Sequence, residues 1–206
     1  MSGICYIVGA GEGFLEFSKQ EGDLVISADG GYLTLEKMGI LPDVHLGDFD
    51  SLKPETPIPD TVRILRHPTR KDDTDTALAV KYGMEQGYTE FVILGGTGGR
   101  SDHTFANYQL LLGARKKGAH LLLVGEKDIA QCLFCEAVTL CGEEGKTFSV
   151  FAFGSDAQGV DILGASYDLQ GGTLTADNPL GVSNAFLGSP VQLSVRDGAL
   201  LVIQEK

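Results

Sequence analysis

The chain has 206 residues, of which 43% are apolar, and carries a formal net charge of −12. This length suits one large domain or two small ones, and the apolar share is sufficient for a packed core. Such an acidic surface repels a nucleic-acid backbone, so DNA and RNA are not expected as partners. No apolar run approaches the roughly 20 residues that span a bilayer, and no secretory signal opens the chain. We therefore expect a cytoplasmic protein with no membrane partner.

The first part of the chain alternates strand patterns with helical patterns. Apolar residues recur at helical spacing around Val80 and around Tyr108, and each pattern follows an aspartate or threonine that could cap a helix. Continuous apolar runs, typical of strands buried on both faces, lie at 4–8, 24–28, 62–65, 91–94 and 121–124. The alternation predicts an α/β domain over residues 1–127, with a doubly wound, mostly parallel sheet.

The pattern changes to short strands separated by glycine turns over residues 128–206. Strand-like runs lie at 148–153, 160–163, 191–195 and 199–203. Hairpin turns are predicted at Gly142–Thr147 and, between the last two runs, at Arg196–Gly198. This half is predicted to be an antiparallel β-sandwich, with a small barrel as the alternative.

The four cysteines include a C-x-x-C pair, Cys132 and Cys135. The surrounding residues 131–138 resemble a strand, on which side chains three residues apart point to opposite faces. A structural zinc site would also need a second pair of ligands, which the sequence lacks. We therefore expect reduced cysteines that pack as small apolar side chains.

Two groups of aspartates are candidates for metal or substrate binding. Asp48 and Asp50 are two residues apart, so in an extended segment both carboxylates point to one face and repel unless a cation lies between them. The alternative is a polar loop in which both bond to the backbone. Asp72, Asp73 and Asp75 precede a helical pattern, and three acids in four positions exceed what helix capping requires.

A glycine run with an arginine, residues 95–103, follows one predicted strand and precedes a predicted helix. Glycines allow close approach of backbone N–H groups to a phosphate, and Arg100 can donate two hydrogen bonds to phosphate oxygens. The alternative is a flexible turn with a helix cap. His103 is either a surface or capping residue or a site residue beside Asn107, one turn along the same helix face.

Two other glycine-rich segments resemble nucleotide-binding loops without matching them. In Gly9–Gly13 the third glycine of the dinucleotide pattern would fall at Phe14, and Glu12 would oppose a phosphate. In Gly142–Thr147 the first glycine of a P-loop would fall at Leu140, and a strand pattern follows where a helix is needed. We therefore expect neither segment to be a phosphate-binding loop.

At these residues the sequence resembles the thiamine pyrophosphokinase family over nearly its whole length. The resemblance rests on an ordered set of motifs: Asp29-Gly30-Gly31, Pro42-Asp43, Gly47-Asp48-Phe49-Asp50-Ser51, Asp73-Thr74-Asp75, Gly98-Gly99-Arg100-Ser101-Asp102-His103 and Gly181-Val182-Ser183-Asn184. It implies an N-terminal α/β domain, a C-terminal β-sandwich with a closing hairpin at 191–203, and a homodimer with active sites between subunits. It also implies transfer of the pyrophosphoryl group of ATP to thiamine, with thiamine diphosphate and AMP as products.

The resemblance also implies roles for individual residues. Asp48, Asp50 and Asp75 would hold Mg²⁺, and Arg100 would steady the transferred group. Asp72 or Asp73 would accept the proton of the thiamine hydroxyl or orient that hydroxyl, and Asp102 would orient Arg100 or cap its helix. The ATP site would include Asp29, Gly30, Gly31, Gly98, Gly99, Arg100, Ser101, Asp102 and His103.

The thiamine site implied by the resemblance combines Asp72 of the first domain with three residues of the second domain. Asp72, Ser183 and Asn184 would bind thiamine, although a simple β-turn is the alternative for the last two. Tyr167 stands where the family commonly has a tryptophan, and it could stack on the positively charged thiazolium ring.

Two other functions remain open on the sequence. A metal-dependent phosphoesterase also gathers carboxylates but commonly adds histidines, and this chain has four, widely spaced. A non-catalytic thiamine or nucleotide sensor would bind its ligand without turnover.

Overall fold

A computed structural model describes residues 3–47, 57–67 and 73–206. The chain divides into two compact units. Unit 1 contains residues 1–110 and 118–126, and unit 2 contains residues 111–117 and 127–206. Among the described residues, no helix is both long and apolar enough to cross a membrane.

Within its described residues, unit 1 contains six parallel strands. In chain order they are β1 (Cys5–Val8), β2 (Leu24–Ala28), β3 (Val44–Gly47), β4 (Arg63–Arg66), β5 (Glu90–Leu94) and β6 (His120–Val124). Their order across the sheet is β6-β5-β1-β2-β3-β4. Strand β3 was not predicted, because His45 interrupts its apolar run, yet all four of its residues are buried.

The helices of unit 1 are α1 (Gly31–Lys37), α2 (Asp75–Glu85) and the first turns of α3 (Ser101–Arg115), whose last residues group with unit 2. Helix α2 begins as predicted, with the Thr74 side chain accepting a hydrogen bond from the Ala77 amide at 3.2 Å. Helix α1 was not predicted, because seven residues are too few to show a clear helical period.

The strand order creates a crevice at the centre of the parallel sheet. The chain passes from β1 outward to β4 and then returns through α2 to β5, on the other side of β1. Strand order therefore reverses between β1 and β5. In open parallel sheets, ligands bind in the crevice outside the carboxyl ends of the strands at such a reversal.

Unit 2 contains two antiparallel groups of strands that form the predicted sandwich. The strands are β7 (Asp128–Phe134), β8 (Ala137–Leu140), β9 (Thr147–Ala152), β10 (Ala157–Leu163), β11 (Leu169–Leu174), β12 (Asn184–Ala185), β13 (Val191–Asp197) and β14 (Ala199–Glu205). One group has the order β12-β9-β14-β7 and the other β11-β10-β13-β8. Buried side chains such as Phe148, Phe186 and Leu193 form one apolar cluster from both groups.

The two predicted hairpins of unit 2 are wrong. Strand β13 pairs with β8 and β10, whereas β14 pairs with β7 and β9, so the turn at Gly198 carries the chain from one sheet to the other. The segment Gly142–Thr147 likewise joins β8 to β9, which belong to different sheets. A glycine-rich turn predicts that the chain reverses its direction. It does not predict which strands pair, because pairing depends on contacts with strands far apart in the sequence.

The predicted single strand over residues 131–138 is also wrong. Strand β7 ends at Phe134, Cys135 adopts a left-handed φ of 50°, and β8 begins at Ala137. All four cysteines are free, as expected. Cys5 and Cys132 are buried, and burial raises the pKa of the Cys132 thiol to about 12. Cys135 and Cys141 are exposed, so they do not pack as apolar side chains.

Candidate active site

The predicted crevice at the β1/β5 reversal is a pocket of about 550 Å³. Its walls come from four parts of unit 1: residues 9–11 after β1, 28–29 at the end of β2, 73–76 at the start of α2, and several residues between Gly95 and Asn107. The carboxyl ends of three strands and the first turns of two helices therefore meet at one place.

The loops after β1 and β5 both line the pocket and are joined by backbone hydrogen bonds. The amides of Gly9, Gly11 and Glu12 donate to Leu94, Gly95 and Thr97, at 2.8, 2.8 and 2.7 Å respectively. A Cβ atom at position 11 would lie 2.3 Å from the Thr97 carbonyl oxygen. Glycine is therefore required for the two loops to approach.

The segment Gly9–Gly13 was correctly excluded as a dinucleotide loop, because no helix follows it in the structure. Gly9 and Gly11 nevertheless line the pocket, which the sequence reasoning missed. The available signal was the position of the segment, directly after the first strand of a parallel sheet.

The start of helix α2 contributes one wall. Asp73, Thr74, Asp75 and Thr76 all line the pocket. The first turn of a helix has backbone N–H groups without partners inside the helix, and its dipole places partial positive charge there. The wall thus combines carboxylates with a helix end that favours anions.

The start of helix α3 brings a positively charged side chain, Arg100, to the pocket. Arg100 donates two hydrogen bonds to Asp102, from Nε to Oδ1 at 3.1 Å and from a terminal nitrogen to Oδ2 at 2.6 Å. The pairing raises the pKa of Arg100 and lowers the pKa of Asp102 from their ordinary values. Asp102 also accepts from the His103 amide at 3.0 Å. Asp102 therefore orients Arg100, and His103 and Asn107 line the pocket along the same helix.

Asp29 lies at the end of β2 in a left-handed conformation, with φ of 47°. Its amide donates to the Leu46 carbonyl oxygen at 2.8 Å, and it lines the pocket. Gly30 and Gly31, which the resemblance placed with it, are not part of the lining. A Cβ atom at position 31 would lie 1.8 Å from the Val8 carbonyl oxygen, so Gly31 allows α1 to begin against β1.

A buried polar pair lies next to Asp29 in the sheet. Ser27 and His45 are fully buried partners on β2 and β3, with Ser27 Oγ 2.9 Å from His45 Nδ1. The Tyr32 ring of α1 packs on the imidazole, with 5.2 Å between ring centroids. Burial lowers the pKa of His45, although the interaction with Ser27 and the charge of Asp29 act in the opposite direction.

The structure thus brings together Asp29, Asp73, Asp75, Gly99, Arg100 and His103 from the predicted set. Gly98, Ser101 and Asp102 belong to the same turn without lining the pocket, and Gly98 has a left-handed φ of 79°. Asp48, Asp50 and Asp72 lie outside the described residues. Within the described ranges, no three Asp, Glu, His or Cys side chains are arranged to hold a metal ion. The carboxylate oxygens of Asp29, Asp73 and Asp75 are nonetheless the ligand type that Mg²⁺ prefers.

The predicted thiamine residues of the second domain lie in unit 2. Tyr167 is 72% exposed. Asn184 is buried, and its amide nitrogen and oxygen bond to the carbonyl oxygen and the amide of Tyr167. Ser183 is exposed with a left-handed φ of 57°, and its amide donates to Ser149 Oγ at 3.1 Å. Asn184 therefore fixes the turn that presents Tyr167.

The fold and the pocket define a class: an α/β unit with a crevice lined by two helix starts, aspartates and an arginine, followed in the chain by an antiparallel β-sandwich unit. Comparison with known families gives the same division. Residues 17–123 match the thiamin pyrophosphokinase catalytic domain, and residues 137–200 match the thiamin pyrophosphokinase vitamin B1 binding domain.

Individual relatives agree with both matches. The chain is 30% identical to thiamine pyrophosphokinase of Bacillus subtilis over 188 residues, which cover 89% of this chain and 88% of that protein. A solved thiamine pyrophosphokinase structure from the same species has a TM-score of 0.86 at 26% identity, covering 98% of this chain and 99% of that one. The thiamin pyrophosphokinase of Geobacillus thermodenitrificans has a TM-score of 0.84 at 25% identity, covering 98% and 97%. The chain belongs to the thiamine pyrophosphokinase family and is an enzyme of that family.

Proposed function

We propose that this enzyme transfers the pyrophosphoryl group of ATP to the hydroxyl group of thiamine, giving thiamine diphosphate and AMP. The observation that carries the proposal is the convergence of two helix starts, Arg100 and several carboxylates on one pocket. That pocket lies almost entirely in the part of the chain that matches the family's catalytic domain.

The triphosphate would lie between the first turns of α2 and α3. Both helix ends favour anions, and Arg100 lines the pocket with the N–H groups that it does not donate to Asp102 left for phosphate oxygens. Asp102 holds the guanidinium group in place before ATP arrives, which reduces the ordering cost of binding. Asp29 and Gly99 would complete the nucleotide site.

Mg²⁺ would be held by Asp48, Asp50 and Asp75, and it would neutralise charge on the phosphate oxygens. Asp75 lies on the pocket wall. Asp48 directly follows Gly47 in the sequence, and a Cβ atom at Gly47 would lie 3.2 Å from the Asp29 Cα atom. Gly47, the last described residue before this aspartate pair, therefore lies beside Asp29, which lines the pocket.

In the reaction the thiamine hydroxyl oxygen forms a bond to the β-phosphorus of ATP. The bond from that phosphorus to the oxygen bridging to the α-phosphate breaks, and AMP leaves with the electron pair. Asp72 or Asp73 would accept or orient the hydroxyl proton, and Asp73 lines the pocket. Arg100 would stabilise charge on the transferred group, so most of the rate enhancement comes from positioning and electrostatics.

Thiamine would be bound with help from unit 2 of a partner subunit in a homodimer. Tyr167, Leu180, Val182 and Leu187 are exposed apolar or aromatic side chains of unit 2, and in this proposal they would face the partner subunit. Tyr167 would stack on the thiazolium ring, and Ser183 and Asn184 would lie near it.

A product assay tests the proposal. Purified protein is incubated with ATP, Mg²⁺ and thiamine, and the mixture is separated for nucleotides and thiamine phosphates. We expect equal amounts of AMP and thiamine diphosphate, both dependent on Mg²⁺. Free phosphate or pyrophosphate without thiamine diphosphate would favour a phosphoesterase, and tight binding without turnover would favour a sensor.

The variant Asp50→Ala tests the metal site, with Asp177→Ala as a matched control. Asp177 is an exposed aspartate of unit 2. We expect Asp50→Ala to abolish turnover in a folded dimer and Asp177→Ala to retain it. Normal turnover of Asp50→Ala would remove Asp50 from the site.

A further inference from the structure

The side-chain amide of Asn107 uses its nitrogen in a hydrogen bond within the protein, whereas its oxygen has no such bond among the described residues. The residue is 5% exposed, lies on α3 and lines the pocket. Its Nδ2 donates to the Gly96 carbonyl oxygen at 2.7 Å. Across the described residues, no group donates a hydrogen bond to its Oδ1.

The orientation of this amide follows from chemistry. A backbone carbonyl oxygen can only accept a hydrogen bond, so the nitrogen of Asn107 must face Gly96. The oxygen therefore faces the other way, as a fixed acceptor. This oxygen is not among the buried polar atoms that lack a partner, so it is open to the pocket, where a ligand that brings a hydrogen-bond donor would replace water.

Phosphate groups of ATP cannot supply that donor, because their ionised oxygens are acceptors. Arg100 lies seven residues earlier, which is two helical turns and about 10 Å along the helix axis on nearly the same face. If the phosphates bind at Arg100, Asn107 lies toward the nucleoside end of ATP. That end carries donors, namely the ribose hydroxyls and the exocyclic amino group of adenine.

We propose that Asn107 is a specificity-determining residue whose Oδ1 accepts a hydrogen bond from a hydroxyl or amino group of the nucleoside. The inference rests on the proposed use of ATP in this pocket. The same side chain also holds the Gly96 carbonyl, so it couples the shape of the loop after β5 to recognition of the nucleoside.

The test compares four nucleotides in the wild-type enzyme and in Asn107→Leu. They are ATP, its 2′-deoxy and 3′-deoxy analogues, and an analogue with a dimethylated amino group. We expect one analogue to lower the wild-type kcat/KM by about tenfold, as for loss of one hydrogen bond. In Asn107→Leu we expect the ratio of kcat/KM for ATP to kcat/KM for that analogue to fall to about one. The analogue affected identifies the donor.

The ratio separates loss of nucleoside recognition from loss of folded or correctly positioned enzyme, because the second lowers kcat/KM for ATP and for the analogue alike. Asn107→Ser repeats the test in case the leucine variant does not fold. Thr104→Val is the matched control, because Thr104 lines the same wall one turn earlier, and it should keep the wild-type ratio. The proposal is overturned if the wild type treats all four nucleotides alike, if the ratio survives in both Asn107 variants, or if Thr104→Val loses it equally.

Failure of the proposed function gives a different result. If the wild type makes no thiamine diphosphate, binding of the same four nucleotides with Mg²⁺ is measured by calorimetry, and the affinity ratio replaces the kinetic one. A protein that binds none of them contradicts the inference as well.

Discussion

Asn184 holds both main-chain polar groups of Tyr167. Its Nδ2 donates to the Tyr167 carbonyl oxygen at 2.7 Å, and its Oδ1 accepts from the Tyr167 amide at 3.0 Å and from the Ala185 amide at 2.9 Å. The ring is exposed while its backbone is fixed by a buried side chain. The exposed ring therefore stands on a fixed backbone, which would lower the ordering cost of the proposed stacking on thiamine.

Asn184→Ala is expected to lower the free energy of unfolding by about 1–3 kcal/mol, because it removes three hydrogen bonds to part-buried backbone groups of Tyr167 and Ala185. Urea denaturation measures the change. Asn178→Ala is the control, because Asn178 is exposed in the same unit, and its stability should not change. A neutral Asn184→Ala would show that the turn is held by other contacts.

Tyr167→Ala is expected to raise the KM for thiamine by about tenfold and to leave the KM for ATP nearly unchanged, because it removes the ring proposed to stack on the thiazolium. Since the ring is exposed, stability should change little. Tyr167→Phe keeps the aromatic face and should resemble the wild type. Equal effects on both KM values would mean that Tyr167 does not contact thiamine.

Arg100→Lys is expected to reduce kcat/KM by about ten- to a hundredfold, because an ammonium group cannot reproduce the two-pronged contact of a guanidinium group. Asp102→Asn should give a smaller loss, since it only loosens the orientation of Arg100. Both side chains are exposed, so thermal denaturation should show an unchanged midpoint. Wild-type kinetics in Arg100→Lys would exclude a direct contact with the transferred group.

Protonation of His45 is expected to make stability depend on pH. Its folded-state pKa is lowered by burial, so the unfolded chain binds the proton first, near the ordinary value of about 6.5. The stabilising contribution is therefore present above about pH 6.5 and is lost as pH falls below it, by at most about 1.4 kcal/mol per pH unit. Urea denaturation at about pH 7.5 and about pH 5.5 should show a smaller difference in His45→Gln. An identical difference in that variant would assign the dependence to other groups.

Two glycine substitutions are expected to act in opposite directions. Gly31→Ala places a Cβ atom 1.8 Å from the Val8 carbonyl oxygen, so it should lower the free energy of unfolding by about 3 kcal/mol or more. Gly113 is exposed in α3 with no atom near its added Cβ, and Gly113→Ala should raise the free energy by up to about 1 kcal/mol. Chemical denaturation of both variants checks the pair, and tolerance of Gly31→Ala would show that α1 can shift away from β1.

The sequence predicted the parts of the fold that depend on local pattern. Apolar runs located β1, β2, β4, β5 and β6, although β4 is mostly exposed rather than buried on both faces. The α/β rule placed the ligand crevice after such strands. Strand β3 was missed because His45 interrupts its apolar run, although Ser27 and Tyr32 make that site suitable for an imidazole. The hairpin predicted at Gly198 was wrong because strand pairing depends on contacts far apart in the sequence.

The candidate site was likewise predictable only where it depends on local sequence. Acidic and glycine-rich motifs identified Asp29, Asp73, Asp75 and Arg100, which line or flank one pocket. The acceptor on Asn107 was not predictable, because it depends on the Gly96 carbonyl oxygen meeting the other half of the amide. The sequence suggested only that Asn107 lies on the same helix face as His103.

Transfer of the pyrophosphoryl group as one unit is the central claim, and labelled ATP tests it most directly. Thiamine and Mg²⁺ are incubated with ATP radioactively labelled at either the β- or the γ-phosphate, and the products are separated. We predict that both labels appear in thiamine diphosphate with equal yield and that the released AMP carries neither. Retention of the β-label in ADP, with only the γ-label on thiamine, would contradict attack at the β-phosphorus.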